Sequence, residues 1–186
     1  MKTVTGTSNR ILEVNLTDQS VTEFKISDDD RRLYLGGKGL GLKLLYDRMK
    51  PGVDPLGEDN IMAFMMGVLM GTGTSCSARF AGVTKSPLTG VMLSCSCGGE
   101  FGMAYKTAGY DGLLIRGKAE KPTTLVIDES GVRFEEAGHL WGLDSEETQN
   151  KLDLDKKSGA MVIGPAGENK VLYANIVSGH RYLGRG

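Results

Sequence analysis

The sequence predicts an α+β domain, on three observations. Apolar runs of strand length recur between Ile11 and Val177, each bounded by Gly, Pro, Asn, Asp or Ser. Helical signals are few and short. Strands and helices do not alternate regularly, as they would in a parallel doubly wound sheet. The 186 residues suffice for one domain, or two small ones, burying about 70% of the unfolded surface.

A hairpin comes first. Ile11, Val14 and Leu16 mark one strand, Thr17 to Ser20 a turn, and Val21 to Ile26 the return strand. Asp28, Asp29 and Asp30 then open a helix, because carboxylates suit the positive end of the helix dipole. It is expected to end at Gly36-Gly37. A second helix is predicted from Leu40 to Met49, stopped by Pro51-Gly52. Ile61 to Met66 is continuously apolar and reads as a strand buried on both faces. Strands follow at Arg79 to Thr84 and Val91 to Ser94, around the turn Ser86-Pro87-Leu88-Thr89-Gly90. A short helix is expected around Gly99 to Ala108. Leu113 to Arg116, Leu125 to Asp128 and Val132 to Glu135 read as strands. Asp144 and Glu147 have capping-box spacing for a helix to Leu152. Met161 to Gly164 and Val171 to Val177 complete the expected strands. Both halves place a Gly-Gly pair before a helix expected to end in Tyr-Asp (36–37 to 46–47; 98–99 to 110–111), a faint duplication.

Composition narrows the function. Lys plus Arg is 22, Asp plus Glu is 23, and the formal charge is −1. That balance argues against a general nucleic-acid binder or a polybasic membrane anchor. The start, Met1 to Arg10, is polar, and the longest apolar run, Ile61 to Met70, is far short of the ~20 residues of a membrane span. Three cysteines, Cys76, Cys95 and Cys97, make a poor disulfide framework and fit a reducing compartment, so a cytoplasmic location is expected. Glycine is the anomaly: 27 residues, roughly twice the usual share of about 7%. The chain turns sharply, or approaches something closely, in many places.

Several motifs admit more than one reading. Gly36-Gly37-Lys38-Gly39-Leu40-Gly41 lacks the Ser or Thr that follows Lys in a phosphate loop. A tightly packed helix start, or backbone laid against a flat ligand, are its other readings. Cys95 and Cys97 share a strand face but lack a full ligand set for zinc or an iron–sulfur cluster. Arg79 follows a Gly/Thr/Ser loop and is either a surface residue or reaches an anion. Residues 179–186 hold His180, Arg181 and Arg185 among glycines. Guanidinium forks and accessible N–H groups there suit a phosphate; an exposed basic loop is the alternative. The sequence stops in that loop, and the expectation is a fragment of a longer enzyme.

The motifs together carry a resemblance. They are Ala81 to Gly90, Gly98 to Gly102, Lys106 to Asp111, Arg116 to Ala119, Trp141-Gly142, Ile163 to Asn169, Gly179 to Arg181 and Gly184 to Gly186. In order and spacing, from about residue 8 onward, they resemble the amino-terminal domain of the aldehyde ferredoxin oxidoreductase family. The resemblance implies that residues 1–186 form one such domain, with the cluster-binding domains absent. It implies two β-sheets related by a pseudo-two-fold axis, on which a tungsten (or molybdenum) bis-pterin lies. The family's reaction would be oxidation of aldehydes to carboxylic acids with ferredoxin as acceptor, through a [4Fe–4S] cluster whose ligands lie outside this chain. A stand-alone pterin-binding module, or a related acyl-CoA ring reductase, is the alternative. A homo-oligomer is compatible with either.

Residue by residue, the resemblance places Arg79 between pterin and cluster. Ser96 and Gly98 match pterin-contacting positions, although relatives commonly carry Asn at the place of Ser96. Arg181, Tyr182, Gly184 and Arg185 match the pterin loop, with Tyr182 and Leu183 standing where relatives have small residues. Backbone carbonyls of Ser96 and Tyr182 match those that hold a magnesium ion bridging the pterin phosphates. The resemblance assigns Cys95 and Cys97 no ligand role.

Overall fold

The computed structural model describes residues 6–184. Its frame is a six-stranded sheet of β1 (Ile11–Asn15), β2 (Ser20–Phe24), β3 (Met62–Met66), β4 (Phe80–Lys85), β5 (Met92–Cys97) and β6 (Gly112–Arg116). The strand order is β2-β1-β6-β3-β4-β5. Only β1 and β6 run parallel; the other neighbours are antiparallel. A second sheet is the ribbon β7 (Thr123–Asp128) with β8 (Gly131–Glu136), and a short ribbon pairs β9 (Val177–Ser178) with β10 (Arg181–Tyr182). The α+β class is as the sequence predicts.

Strand β3 is buried on both faces, which is why it reads as an unbroken apolar run. Ala63 and Met65 join Leu40, Leu44 and Leu45 of α2 (Gly37–Arg48) in one core. Phe64 and Met66 join Phe80, Cys97 and Leu183 in the other, with Phe101 and Tyr105 of α3 (Glu100–Thr107) and the inner face of β7 and β8. The two Gly-Gly pairs therefore start helices on opposite faces of the large sheet. That layout agrees with the duplication in the sequence, although α3 stops at Thr107, short of Tyr110.

Helix α1 (Asp28–Tyr34) is capped by Ser27, whose Oγ accepts from the Asp30 amide at 3.1 Å. Helix α2 begins at Gly37, three residues earlier than its apolar spacing indicates, so Gly39 joins Gly41 inside it. A Cβ on Gly41 would stand 2.8 Å from Val83 Cγ2 and 3.1 Å from Met65 Cγ. Of the readings open to this glycine motif, the packed helix start is the one realised at Gly39 and Gly41. We expect Gly41→Ala to destabilise despite alanine's better helix propensity. Overpacking costs about 1–3 kcal/mol and propensity returns at most about 1 kcal/mol, so the net loss is about 1 kcal/mol. A urea melt in which Gly41→Ala matches or exceeds wild type would overturn this.

The expected strands near the end are mostly absent. Met161 to Gly164 contributes a single bridge, Val162 to Val177, because Pro165 starts the short helix α5 (Pro165–Glu168). Residues 171–174 form turns instead, with the Val171 amide bonded to Ala166 O and the Ala174 amide to Val171 O. A 3-10 turn at Gly138–Leu140 carried no recognisable signal. Helix α4 (Ser145–Leu152) has the capping box foreseen at Asp144 and Glu147.

Candidate cofactor-binding site

Strands β4 and β5 pair Phe80 with Cys97 and Ala81 with Ser96. Arg79 precedes the first and Gly98 follows the second, so both stand at one end of the sheet. The Gly67 amide donates to Arg79 O at 3.2 Å, which fixes the backbone there, while the Arg79 side chain is exposed. A Cβ on Gly98 would lie 3.5 Å from Ala78 O and 3.3 Å from Arg181 Nη1. The second arginine thus reaches across to the end of β5.

Arg181 arrives there on a hairpin rather than on the open loop suggested by its glycines. Gly179 and His180 hold φ of +52° and +60°, the left-handed pair that closes a two-residue turn between β9 and β10. The register sets Arg181 opposite Ser178 and Tyr182 opposite Val177. The Gly184 amide then donates to Ser96 O at 3.1 Å. Arg79, Ser96, Gly98, Arg181, Tyr182 and Gly184 are brought together on one side. Arg185 lies outside the described residues.

Electrostatics ties the arginines to the same point. Burial pushes the Cys97 thiol up, and the charges of Arg181 and Arg79 both pull against that rise. Burial alone raises Cys95. Arg79, Ser96, Arg181, Tyr182 and Gly184 are exposed, so the arrangement is an open, cationic, glycine-lined face. It fits an anionic group that needs close backbone approach. Ser178 Oγ, under Gly99, is buried with no hydrogen-bond partner among the described residues. No cluster of three His, Cys, Asp or Glu among the described residues suits a metal ion. At this face Ser96 O keeps one lone pair beyond its bond to the Gly184 amide.

Other motifs serve the fold. The Gly142 amide donates to Glu168 Oε1 at 2.9 Å, joining two of them. Lys106 is ion-paired with Asp111. Gly117 has φ +78°, and its amide donates to Glu58 O at 3.0 Å. Two concavities lie away from the arginines: a cleft of about 880 Å³ beside Tyr46, Met49 and Met92, and one of about 440 Å³ beside Thr7, Met70 and Lys106. Sequence reading gave Cys97 no ligand role and named Leu183 only as a departure from small residues in relatives; the structure buries both, at 2% and 5% exposure.

The family model for the aldehyde ferredoxin oxidoreductase N-terminal domain matches residues 11–186. A tungsten-containing aldehyde ferredoxin oxidoreductase of Pyrococcus abyssi is 40% identical over 185 residues, covering 97% of this chain and 30% of its own length. An aliphatic sulfonate oxidoreductase, WOR-like subunit, of Pyrococcus furiosus is 33% identical over 189 residues, covering 92% of this chain and 30% of its own. Among solved structures, the active-site complex BamBC of benzoyl coenzyme A reductase, with 1,5-dienoyl-CoA, superposes with a TM-score of 0.91 at 36% identity, covering 97% of this chain and 28% of that one. The chain therefore spans under a third of the length of these relatives. With the matched residues running through both arginine-bearing segments, the chain belongs to the aldehyde ferredoxin oxidoreductase family, as its N-terminal domain.

Proposed function

We propose that this domain is the base on which a tungsten (or molybdenum) bis-pterin lies in an enzyme oxidising aldehydes to carboxylic acids, with ferredoxin as electron acceptor. The observation that carries the reading is the meeting of Arg79, Gly98 and Arg181 on one exposed face. Arg79, Arg181 and Arg185 would hold the anionic groups of the cofactor by charge-assisted bonds. Gly98 and Gly184 would let backbone approach the pterin plane, and the carbonyls of Ser96 and Tyr182 would take the bridging magnesium. The bound metal and pterin supply the redox chemistry; the protein supplies position and field. The positive charge of Arg79 favours the more negative, reduced state. The [4Fe–4S] ligands would lie in the rest of the polypeptide, in a cytoplasmic protein that can form homo-oligomers. A second reading, a subunit acting on an acyl-CoA ring, draws on the likeness to the benzoyl coenzyme A reductase complex.

The test uses intact protein from tungstate-supplied cells, purified without oxygen. Tungsten is measured by mass spectrometry, pterin by the fluorescence of its oxidation product, and turnover with a viologen dye. Tungsten with aldehyde oxidation supports the first reading; tungsten with turnover of only an aromatic acyl-CoA selects the second. Intact protein without pterin overturns both. The 186-residue chain alone is expected to give no aldehyde turnover even with added cofactor, because no cluster-ligand set lies among its described residues. Turnover matching that of the intact enzyme would refute this.

A further inference from the structure

The segment carrying Arg181 crosses the end of the β4–β5 pair, and one side chain seats it. Leu183 is 5% exposed, between Tyr182 at 64% and an exposed Gly184. It packs into the core that contains Phe64, Phe80 and Cys97. Its seat is Gly82, in the middle of β4: a Cβ there would stand 2.9 Å from Leu183 Cδ2, with Phe64 at 3.5 Å closing the side. Gly82 lies within a regular strand and outside the positive-φ residues. What the position needs is therefore the missing side chain and not unusual backbone.

Backbone bonds converge on the seated leucine. The Leu183 amide donates to Ile176 O at 3.0 Å, and Asn175 Nδ2 donates to Leu183 O at 2.9 Å. The next amide, Gly184, bonds Ser96 O. The Cys97 thiol donates to Gly98 O at 3.1 Å, with Arg181 O at 3.7 Å and Tyr182 O at 4.0 Å.

We propose that Leu183, seated in the hollow over Gly82, is the positioning residue that sets Arg181 for its anionic ligand and keeps the Gly184 amide on Ser96 O. Identification of that ligand as a pterin rests on the reading above. Leu183 touches no reacting atom; it acts by holding the segment that runs from Arg181 to Gly184.

The experiment uses the intact protein and two readouts. Hydrogen exchange in the apo form reports the amides of 183 and 184, and pterin and tungsten content reports cofactor retention. Leu183→Ala is expected to speed exchange at 183 and 184 at least tenfold, with β3 and β6 unchanged, and to lower pterin content severalfold. Gly82→Val, which occupies the seat with a residue suited to a strand, should do the same from the other side of the contact. Leu183→Met fills the hollow and should restore both readouts. Unchanged exchange in Leu183→Ala, or full pterin content despite faster exchange, overturns the proposal. Equal loss in Leu183→Met and Leu183→Ala overturns it too, since filling the hollow would then be irrelevant. A wild-type protein without pterin removes the proposed function, while the exchange pattern still decides whether Leu183 holds the Arg181 segment.

Discussion

Asp111→Ala should be the most destabilising single change in this domain, costing about 3–5 kcal/mol. Asp111 is 3% exposed and collects an unusual set of donors. Ser8 Oγ donates at 2.9 Å and the Asn9 amide at 2.6 Å; Thr7 Oγ1 and Lys106 add further bonds. Arg31, itself 4% exposed, lies 3.5 Å away. Asn9 links the two charges, because its Oδ1 accepts from Arg31 Nη2 at 3.0 Å and from the Ile26 amide at 2.9 Å. Removing one partner of a buried pair leaves the other charge unpaired, which sets the size of the loss. Against a whole-domain stability of about 5–15 kcal/mol, that is a large fraction. The thermal midpoint should fall by roughly 10 °C in a domain of this length. A loss under about 1 kcal/mol in urea melts would refute the assignment.

The same residue fixes the sign of an acid dependence. Burial alone would raise the Asp111 carboxyl, but the bonds from Lys106, Thr7 and Ser8 outweigh it, and the net shift is downward. A carboxyl depressed in the folded state contributes stability that is fully present above its unfolded value of about 3.9. That contribution is lost as pH falls below about 4 through the folded value. Stability measured from pH 6 to pH 3 should therefore fall less steeply in Asp111→Asn than in wild type.

Replacing Arg79 by Ala in the intact protein should have the largest effect on cofactor retention. The side chain is exposed, so truncation should alter folding stability by no more than about 0.5 kcal/mol. A charge-assisted bond to an anionic cofactor is worth about 1.5–3 kcal/mol, or roughly 10- to 150-fold in affinity. Apo-protein melting should stay unchanged while tungsten content and turnover drop. Lys118, exposed on the loop after β6, is the matched control and should affect neither. Equal tungsten and equal turnover in the two variants would show that Arg79 does not hold the cofactor.

The α+β class, the family and most of the large sheet are legible in the amino-acid order alone. Those strands are legible because each is a local apolar run ended by a turn residue. The β3 strand is the clearest, since burial on both faces removes the polar alternation that confuses other strands. Short capping signals at Asp144 and Glu147 are local too, and the structure realises them. The start of α2 was not legible, because Gly39 and Gly41 sit in a helix only by virtue of Tyr34, Val83 and Met65 around them. The region after Val162 failed for the converse reason. Its residues have strand propensity, but Pro165 and the turns at 171–174 use the backbone first.

The candidate site divides in the same way. Arg79 and Arg181 stand out as residues because isolated arginines beside glycines are chemically conspicuous. Their meeting is a tertiary result: it depends on the pairing of Phe80 with Cys97 and on a hairpin closed by Gly179 and His180. The seat of Leu183 is more hidden still. A glycine in a strand and a leucine about a hundred positions later acquire a joint meaning only when one fills the space the other leaves. Such complementarity is a property of packed volume, which no local pattern in a sequence encodes.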